Sequence, residues 1–410
     1  MNRQVEKKRP NRREVLLAAA AGGVLASCSD SSSDSEEAAA QPSLLGEPLS
    51  AYGERSPFET AQRAVPPSKT PEEGSSLAPI GELRGVVTPS SLHFERHHAG
   101  IPTIDPTRHE LLIHGLVERP LIFTMEDLRR LPSVSRLYFI ECSGNSRSEW
   151  KPGGAPTAQM SHGLASCSEW TGVPLAVVLE EAGIRPEARW LLAEGADACQ
   201  MSRSVPIEKA LDDALLAYGQ NGEALRPAQG YPLRLVLPGW EGNTCVKWLR
   251  RIQAAEQPFM TRDETSKYTD LQPGGKARQF SYEMEAKSVI IRPSGGQQVG
   301  KPGFYEISGL AWSGRGRIER VEVTVDGGRT WQDAELDAPR LEKAFTRFRL
   351  PWRWEGGEVI VASRSIDETG YRQPLVEELL AVRGPNSDYH NNAVKFWRIS
   401  AEGEVTHAEA

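Results

Sequence analysis

The apolar positions of this chain change their spacing several times, and each change marks a boundary. An apolar stretch at residues 15–26 stands directly behind Lys7, Lys8, Arg9, Arg12 and Arg13. That is the layout of an export signal, and the stretch is too short to span a bilayer as a stable helix. From Ser29 to about Ala78 the chain is rich in Ser, Glu, Ala and Pro. Such a segment buries too little apolar surface to fold alone and reads as a disordered spacer. Regular periodicity begins near Gly81. Residues 111–117 read as a strand, 124–128 as a capped helix start and 135–140 as a second strand. That strand ends abruptly at Glu141-Cys142-Ser143-Gly144-Asn145. Residues 174–182 have helical spacing with Gly183 as the stop, and 233–239 form a strand running into a glycine-containing loop. Strands, short helices and long loops mix without a regular βαβ alternation, so the fold class is α+β.

Beyond about Phe280 the pattern changes again. Short apolar runs at 288–291, 304–307, 318–325, 345–350 and 358–363 are separated by turn sequences such as Asp326-Gly327-Gly328 and Glu355-Gly356-Gly357. Val321, Val323 and Val325 alternate with polar residues, which gives one buried face. Regularly spaced strands of this kind predict an immunoglobulin-like β-sandwich of about a hundred residues. No cysteine occurs in it, so the disulfide-pinned variety is excluded. The expected organisation is a signal at 1–28, a spacer at 29–78, an α+β domain at 79–278, the sandwich at 279–402 and a tail at 403–410.

Composition narrows the classes of function. The 410 residues carry a formal net charge of −7, which argues against nucleic acid or an anionic membrane as a general partner. The five cysteines form no CxxC, no CxxCH and no zinc-finger spacing. The chain therefore has no c-type haem attachment site and no evident zinc or iron–sulfur site. Nothing after the signal is apolar enough to cross a membrane. Asn11-Arg12-Arg13-Glu14-Val15-Leu16 resembles the twin-arginine export signal, and Leu25-Ala26-Ser27-Cys28 resembles a lipobox in which Cys28 would be acylated. The twin-arginine route carries folded proteins, which suits a cofactor inserted in the cytoplasm before export to the periplasm.

Two clusters carry candidate chemistry. Cys142 closes an apolar strand, and Ser143-Gly144-Asn145 makes a tight turn that exposes the thiol. Arg147 follows within one further turn, and a nearby cation favours thiolate. A thiolate can attack as a nucleophile or bind a soft metal, and the residues alone leave both open. No GxSxG-like frame or His–Asn partner favours a cysteine hydrolase. The second cluster is Phe94-Glu95-Arg96-His97-His98. Adjacent histidines in extended chain point in different directions, so a bidentate zinc site is not expected. An arginine beside histidines suits an anion pocket.

These clusters stand in order with Trp170-Thr171-Gly172-Val173-Pro174-Leu175 and Val246-Lys247-Trp248-Leu249. With Glu141-Cys142-Ser143-Gly144-Asn145-Ser146-Arg147-Ser148-Glu149, the set resembles the sulfite oxidase family of molybdopterin enzymes, from about Leu83 to Trp397. Within that family the likeness is greatest to the catalytic C subunit of the bacterial sulfur-oxidising (Sox) system. It is carried by residues 94–106, 114–120, 264–271 and 310–316.

The resemblance implies a molybdopterin-binding catalytic domain followed by a sandwich that serves dimerisation. It implies one molybdenum held by the pterin dithiolene, with the Cys142 thiolate as the protein ligand. Arg96, Arg147 and Arg383 would line an oxyanion pocket, and Tyr268 would hydrogen-bond near the metal. Phe94, Glu95, Arg96, His97, His98, Asp197, Gln229, Arg234, Cys245, Val246 and Lys247 fall where the family holds the pterin and its phosphate. The implied activity is two-electron oxidation of sulfite or of carrier-bound sulfane sulfur. A c-type cytochrome, as a subunit or a soluble protein, would accept the electrons, since this chain has no haem motif. A homodimer or heterotetramer is the implied assembly.

Three departures are visible. Gln229 stands where animal sulfite oxidases carry a cofactor-contacting histidine. Thr244 and Cys245 replace bulkier residues of the Sox branch. Arg147 matches sulfite oxidases, whereas the Sox branch often lacks a basic group there. The alternative enzyme is a periplasmic molybdopterin reductase of the methionine sulfoxide type, but those lack the sandwich. A non-catalytic binding lipoprotein is the alternative from another class. Cys167 and Cys199 are expected to be buried thiols or a mutual disulfide.

Overall fold

The computed structural model describes residues 48–272 and 274–409. The export signal, Cys28 and the first part of the spacer lie outside the described residues. Residues 48–59 are exposed and contain no helix or strand. The rest of the described chain folds as one unit from Thr60 onward.

Two five-stranded sheets build the first half of that unit. In one, Glu223–Ala224, Leu215–Gln220, Ala165–Pro174 and Val134–Glu141 pair in that order, with Arg234–Val236 also on Leu215–Gln220. In the other, the order is Leu121–Thr124, Glu110–Gly115, Leu249–Ala255, Trp190–Gly195 and Ser202–Pro206. Only Glu110–Gly115 with Leu249–Ala255 is parallel there; the other pairs are antiparallel. One apolar core joins the two sheets, from Leu111 and Ile113 through Trp170, Val173 and Leu216 to Leu249 and Ile252.

Local chemistry sets the helix ends. Thr124 caps Met125–Arg130, its hydroxyl accepting from Asp127 N at 3.1 Å while Asp127 Oδ2 accepts from Thr124 N at 3.0 Å. Leu175–Ala182 stops at Gly183, whose φ of 69° suits a residue without Cβ. Both ends follow the sequence pattern.

The second half is a two-sheet sandwich. Lys287–Arg292, Gly303–Trp312, Thr346–Trp354 and Glu335–Leu336 form one sheet. Gln332–Asp333, Ile318–Thr324, Val359–Asp367, Phe396–Ile399 and Val405–Ala408 form the other. Val321 and Val323 are fully buried between them with Ile307, Trp312, Phe348 and Trp397. Alternation along the strand thus faces the core as expected.

Two boundaries differ from the sequence reading. The spacer does not run to Ala78: Gly74–Ser76 pairs antiparallel with Glu95–His97, Ala64 bridges Leu77, and Ala78 is fully buried. Backbone pairing holds this polar stretch, and composition carries no record of it. The sandwich also does not end at 402. Val405–Ala408 is its last strand, with Val405 1% exposed. Among the described residues no helix is long and apolar enough to cross a membrane.

Candidate functional site

The strand Val134–Glu141 pairs along its whole length with Ala165–Pro174, which fixes the direction in which the chain leaves at Cys142. The turn is then tied at both ends. Cys142 N donates to Leu164 O at 2.9 Å, and Asn145 N to Cys142 O at 2.8 Å. Asn145 spans the turn, donating from Nδ2 to Glu141 Oε1 at 2.9 Å and accepting at Oδ1 from Leu164 N at 3.1 Å. Ser146 takes a left-handed conformation at φ 65° to leave it. The half-buried Cys142 lies in the wall of a pocket between the two sheets' loops and the segment Phe94 to His98. Burial pushes its thiol up, while the Gly144 backbone and the Arg96 charge act the other way.

The cavity gathers Phe94, Arg96, His97, His98, Asp197, Gln229, Arg234, Cys245, Val246, Lys247 and Tyr268 around that thiol. These are the expected cofactor residues with one exception. Glu95 turns away to pair with Arg63 and His97, and so acts behind the wall. Gln229 Nε2 donates to Phe94 O at 2.9 Å, and Ser166 Oγ accepts from Phe94 N at 3.1 Å. Those two bonds hold the segment Phe94 to His98 against the sheet.

Positive charge dominates the wall. Lys247 Nζ donates to Arg96 O and Ala228 O, both at 3.1 Å, and lies 3.0 Å from His97 Nδ1. Arg234 lies across the Trp170 ring at 4.9 Å and donates to Gln229 O and Cys245 O at 3.0 and 3.2 Å. Burial lowers Lys247 well below the usual lysine range and brings Arg234 to about 10. Burial, reinforced by Lys247 and Arg96, takes His97 down to about 3, and burial with Arg96 takes His98 to about 4. Both rings are therefore neutral near pH 7. Tyr268 Oη lies 3.0 Å from His98 Nε2, and burial raises its phenol, which stays protonated.

This wall fits a polyanionic cofactor. Asp197 is the one carboxylate lining it, against Arg96, Arg234 and Lys247. Asp197 already accepts from Met201 N at 3.1 Å and from Cys199 Sγ at 2.7 Å. Arg234 Nε, His93 Nε2 and Asn243 Oδ1 are buried polar atoms without a hydrogen-bond partner, which is the state expected of groups awaiting a ligand. A phosphate-bearing pterin would supply both the missing charge and the missing partners, and a thiolate at Cys142 suits a soft metal.

Two expected site residues are not brought into the cavity. Arg147 is exposed and grips Asp388 through Nε at 3.0 Å and Nη2 at 2.7 Å, so the cation acting on Cys142 is Arg96 instead. Arg383 ends the helix Val376–Arg383, is 3% exposed and pairs with Glu285 at 2.7 Å and Asp270 at 3.8 Å. Carboxylates brought close by the fold neutralise both. The sequence reading missed His93, Ile140, Met201, Gly242, Asn243 and Trp248, all of which line the cavity. Most flank recognised motifs; Met201 is drawn in only through its bond to Asp197. The four cysteines among the described residues are free thiols, so Cys167 and Cys199 form no disulfide.

Comparison with known proteins agrees with this geometry. A model for an oxidoreductase molybdopterin binding domain matches residues 98–262, and one for a Mo-co oxidoreductase dimerisation domain matches 278–396. The chain is 31% identical over 319 residues to mitochondrial sulfite oxidase of Mus musculus, covering 71% of this chain and 58% of that one. It is 33% identical over 312 residues to nitrate reductase [NADH] 1 of Arabidopsis thaliana, covering 68% and 34%. It thus spans about a third to three fifths of the length of these relatives. The solved structure of the sulfane dehydrogenase SoxCD from Paracoccus pantotrophus superposes with a TM-score of 0.84 at 45% identity, covering 88% of this chain and 96% of that chain.

Proposed function

The chain belongs to the sulfite oxidase family of molybdopterin oxidoreductases, and from that premise we propose a periplasmic molybdenum-dependent dehydrogenase that oxidises sulfur and passes the electrons to a c-type cytochrome. The observation that carries this reading is the cavity where Cys142 faces Arg96, Lys247, Arg234, Tyr268 and His98. The bound cofactor would supply the redox chemistry, taking two electrons from sulfur and releasing them singly. Lys247, Arg234 and Arg96 would neutralise its anionic groups, and Cys142 would contribute the thiolate. Tyr268 Oη and His98 Nε2, 3.0 Å apart, offer a place to hold and pass on a proton that oxidation with water releases. Both start neutral, one as donor and the other as acceptor.

Carrier-bound sulfane sulfur is the substrate class favoured over free sulfite. The likeness to a sulfane dehydrogenase at 45% identity supports it. So does the occupation of Arg147 and Arg383 by Asp388, Glu285 and Asp270, which leaves Arg96 and Arg234 as the arginines of the cavity lining and less free positive charge for a small dianion. The residues 1–28 pattern supports twin-arginine export, the match to a dimerisation domain supports assembly with a second copy, and the likeness to SoxCD supports a partner subunit. The test is molybdenum content of the purified protein, followed by reduction of cytochrome c with sulfite and with a protein-bound persulfide as alternative donors. About one metal per chain, with faster reduction from the persulfide, supports the reading. Faster turnover of sulfite would move the assignment to a sulfite dehydrogenase, and metal-free folded protein from a molybdenum-replete host would overturn it.

A further inference from the structure

The sandwich reaches into the cysteine turn. Glu141 immediately precedes Cys142 and is fully buried. Alternation along Val134–Glu141 sets Ile140 on the cavity wall and turns Glu141 to the opposite side. There its carboxylate meets two donors of the sandwich: Trp312 Nε1 donates to Oε2 at 2.7 Å, and Lys287 Nζ pairs with Oε1. Lys287 and Trp312 are direct cross-strand partners in Lys287–Arg292 and Gly303–Trp312, so both side chains leave one face of the sheet together. Each is almost wholly buried, at 1% and 0% exposure. Glu141 Oε1 also accepts from Asn145 Nδ2 across the turn. A second hold comes from the chain near the C-terminus, where His390 N donates to Ser143 O at 2.8 Å.

We infer that Lys287 and Trp312 are positioning residues for the Cys142 thiolate, so that the sandwich completes the metal-ligand turn of the other domain. The inference rests on Cys142 being the metal ligand. The chain of contact is short: two donors fix one carboxylate, the carboxylate fixes Asn145, and Asn145 fixes both sides of the turn. Removing a donor frees the carboxylate to rotate and loosens the sulfur while the cavity wall stays as it is. A buried ion pair is a poor source of stability compared with apolar packing and is best suited to selecting one geometry. Outer partners of a metal ligand commonly change affinity or activity by about 10–100-fold.

Trp312→Phe, Lys287→Met and Lys287→Arg test this in the full chain, with Val323→Ala as a control for lost sandwich packing. The readouts are the visible thiolate-to-metal absorption, the paramagnetic signal of the half-reduced metal, and kcat against KM. In the same chain made without cofactor, the alkylation rate of Cys142 is measured by peptide mass. Trp312→Phe and Lys287→Met are expected to shift both spectra and lower kcat by about tenfold, with KM little changed. Cofactor-free Cys142 should alkylate several-fold faster in these variants, Lys287→Arg should recover most of the loss, and Val323→Ala should move none of these. Wild-type spectra, kcat and alkylation rate in both variants overturn the inference. So does an equal effect of Val323→Ala. A wild-type protein that holds cofactor but shows no thiolate band would instead remove the Cys142 assignment on which it rests. Should the holo-variants not accumulate, unchanged alkylation in the cofactor-free chain is sufficient to overturn it.

Discussion

Lys247 Nζ lies 3.0 Å from His97 Nδ1, and the same ammonium forms no ion pair with a carboxylate among the described residues. The two side chains define each other's state. Nδ1 accepts from the ammonium, so the ring proton sits on Nε2 and points at Glu95 Oε2, 3.2 Å away. Lys247→Met is expected to fold, because it removes a poorly solvated cation, yet to lose most of its bound cofactor. A charge-assisted bond to phosphate contributes about 1.5–3 kcal/mol, roughly one to two orders of magnitude in affinity. Molybdenum per chain after extended dialysis, compared with wild type, measures the loss. Retention equal to wild type would show that the ammonium does not face the anion.

Cys142→Ser separates the metal ligand from the scaffold. The side chain is half-buried, and the backbone bonds that tie the turn do not use its sulfur, which takes only the contact of the Gly144 backbone that a serine oxygen can also accept, so the melting temperature should change by only a few degrees, for a cost below about 1 kcal/mol. Turnover should disappear, because a serine hydroxyl stays protonated and hard where a soft thiolate is required. Full activity in the serine variant would refute the assignment.

How much of this site the sequence revealed depended on the kind of interaction involved. Cys142 and the wall residues Phe94, Arg96, His97 and His98 were readable because a short run of contiguous residues does the work. The strand alternation of Val321 and Val323 was readable for the same local reason. The ion pairs of Arg147 and Arg383 were not readable, because their partners Asp388, Glu285 and Asp270 lie far away in the chain and no local pattern announces such a pairing. Gly74–Ser76 was read as spacer because a three-residue strand of Gly and Ser has no apolar period. The hold of Lys287 and Trp312 on Glu141 was invisible for a similar reason: it joins positions on two different domains.

Stability should fall as the pH rises from about 6.5 to 9, and His390 is the reason. It is fully buried between Glu241 and Glu285, at 3.4 and 3.6 Å. Although burial alone would lower it, the two carboxylates raise it to about 9. The folded chain therefore holds a proton that the unfolded chain releases near pH 6.5. The stabilisation is complete below that pH and is lost as the pH rises through the folded value. At about 1.36 kcal/mol per unit it amounts to roughly 3 kcal/mol at most. Melting temperature of the cofactor-free protein at intervals from pH 6 to 10 should show this fall, and His390→Gln should flatten it. An unchanged slope in the variant would place the titration elsewhere.

Arg203 is a second buried charge with a large expected effect. It is 1% exposed and meets Glu241 at 3.0 Å and Glu264 at 3.5 Å, both buried as well. Replacing it with Met leaves Glu264 without its cation and Glu241 with His390 alone, a change that typically costs about 3–5 kcal/mol. Chemical denaturation of the two proteins at pH 7.5 gives the difference directly.

The junction between the domains can be tested without touching a charge. Gly239, at the end of the cofactor-domain strand region, and Gly314, just past Gly303–Trp312, meet backbone to backbone. A Cβ placed on Gly314 would lie 1.9 Å from Gly239 O and 2.8 Å from Met284 O. Neither atom belongs to a flexible side chain, so the neighbours cannot step aside without moving a strand. Gly314 also donates to Met284 O at 2.7 Å, and Met284 N to Gly239 O at 3.0 Å, which closes the junction on both sides. Gly314→Ala should therefore cost more than the roughly 1–3 kcal/mol of ordinary overpacking. Trp312 stands two residues away, so the same variant should also disturb the Cys142 turn. A large drop in melting temperature together with faster alkylation of Cys142 in the cofactor-free chain is the expected pair of results. A drop in stability with an unchanged alkylation rate would mean that the junction and the cysteine turn move independently.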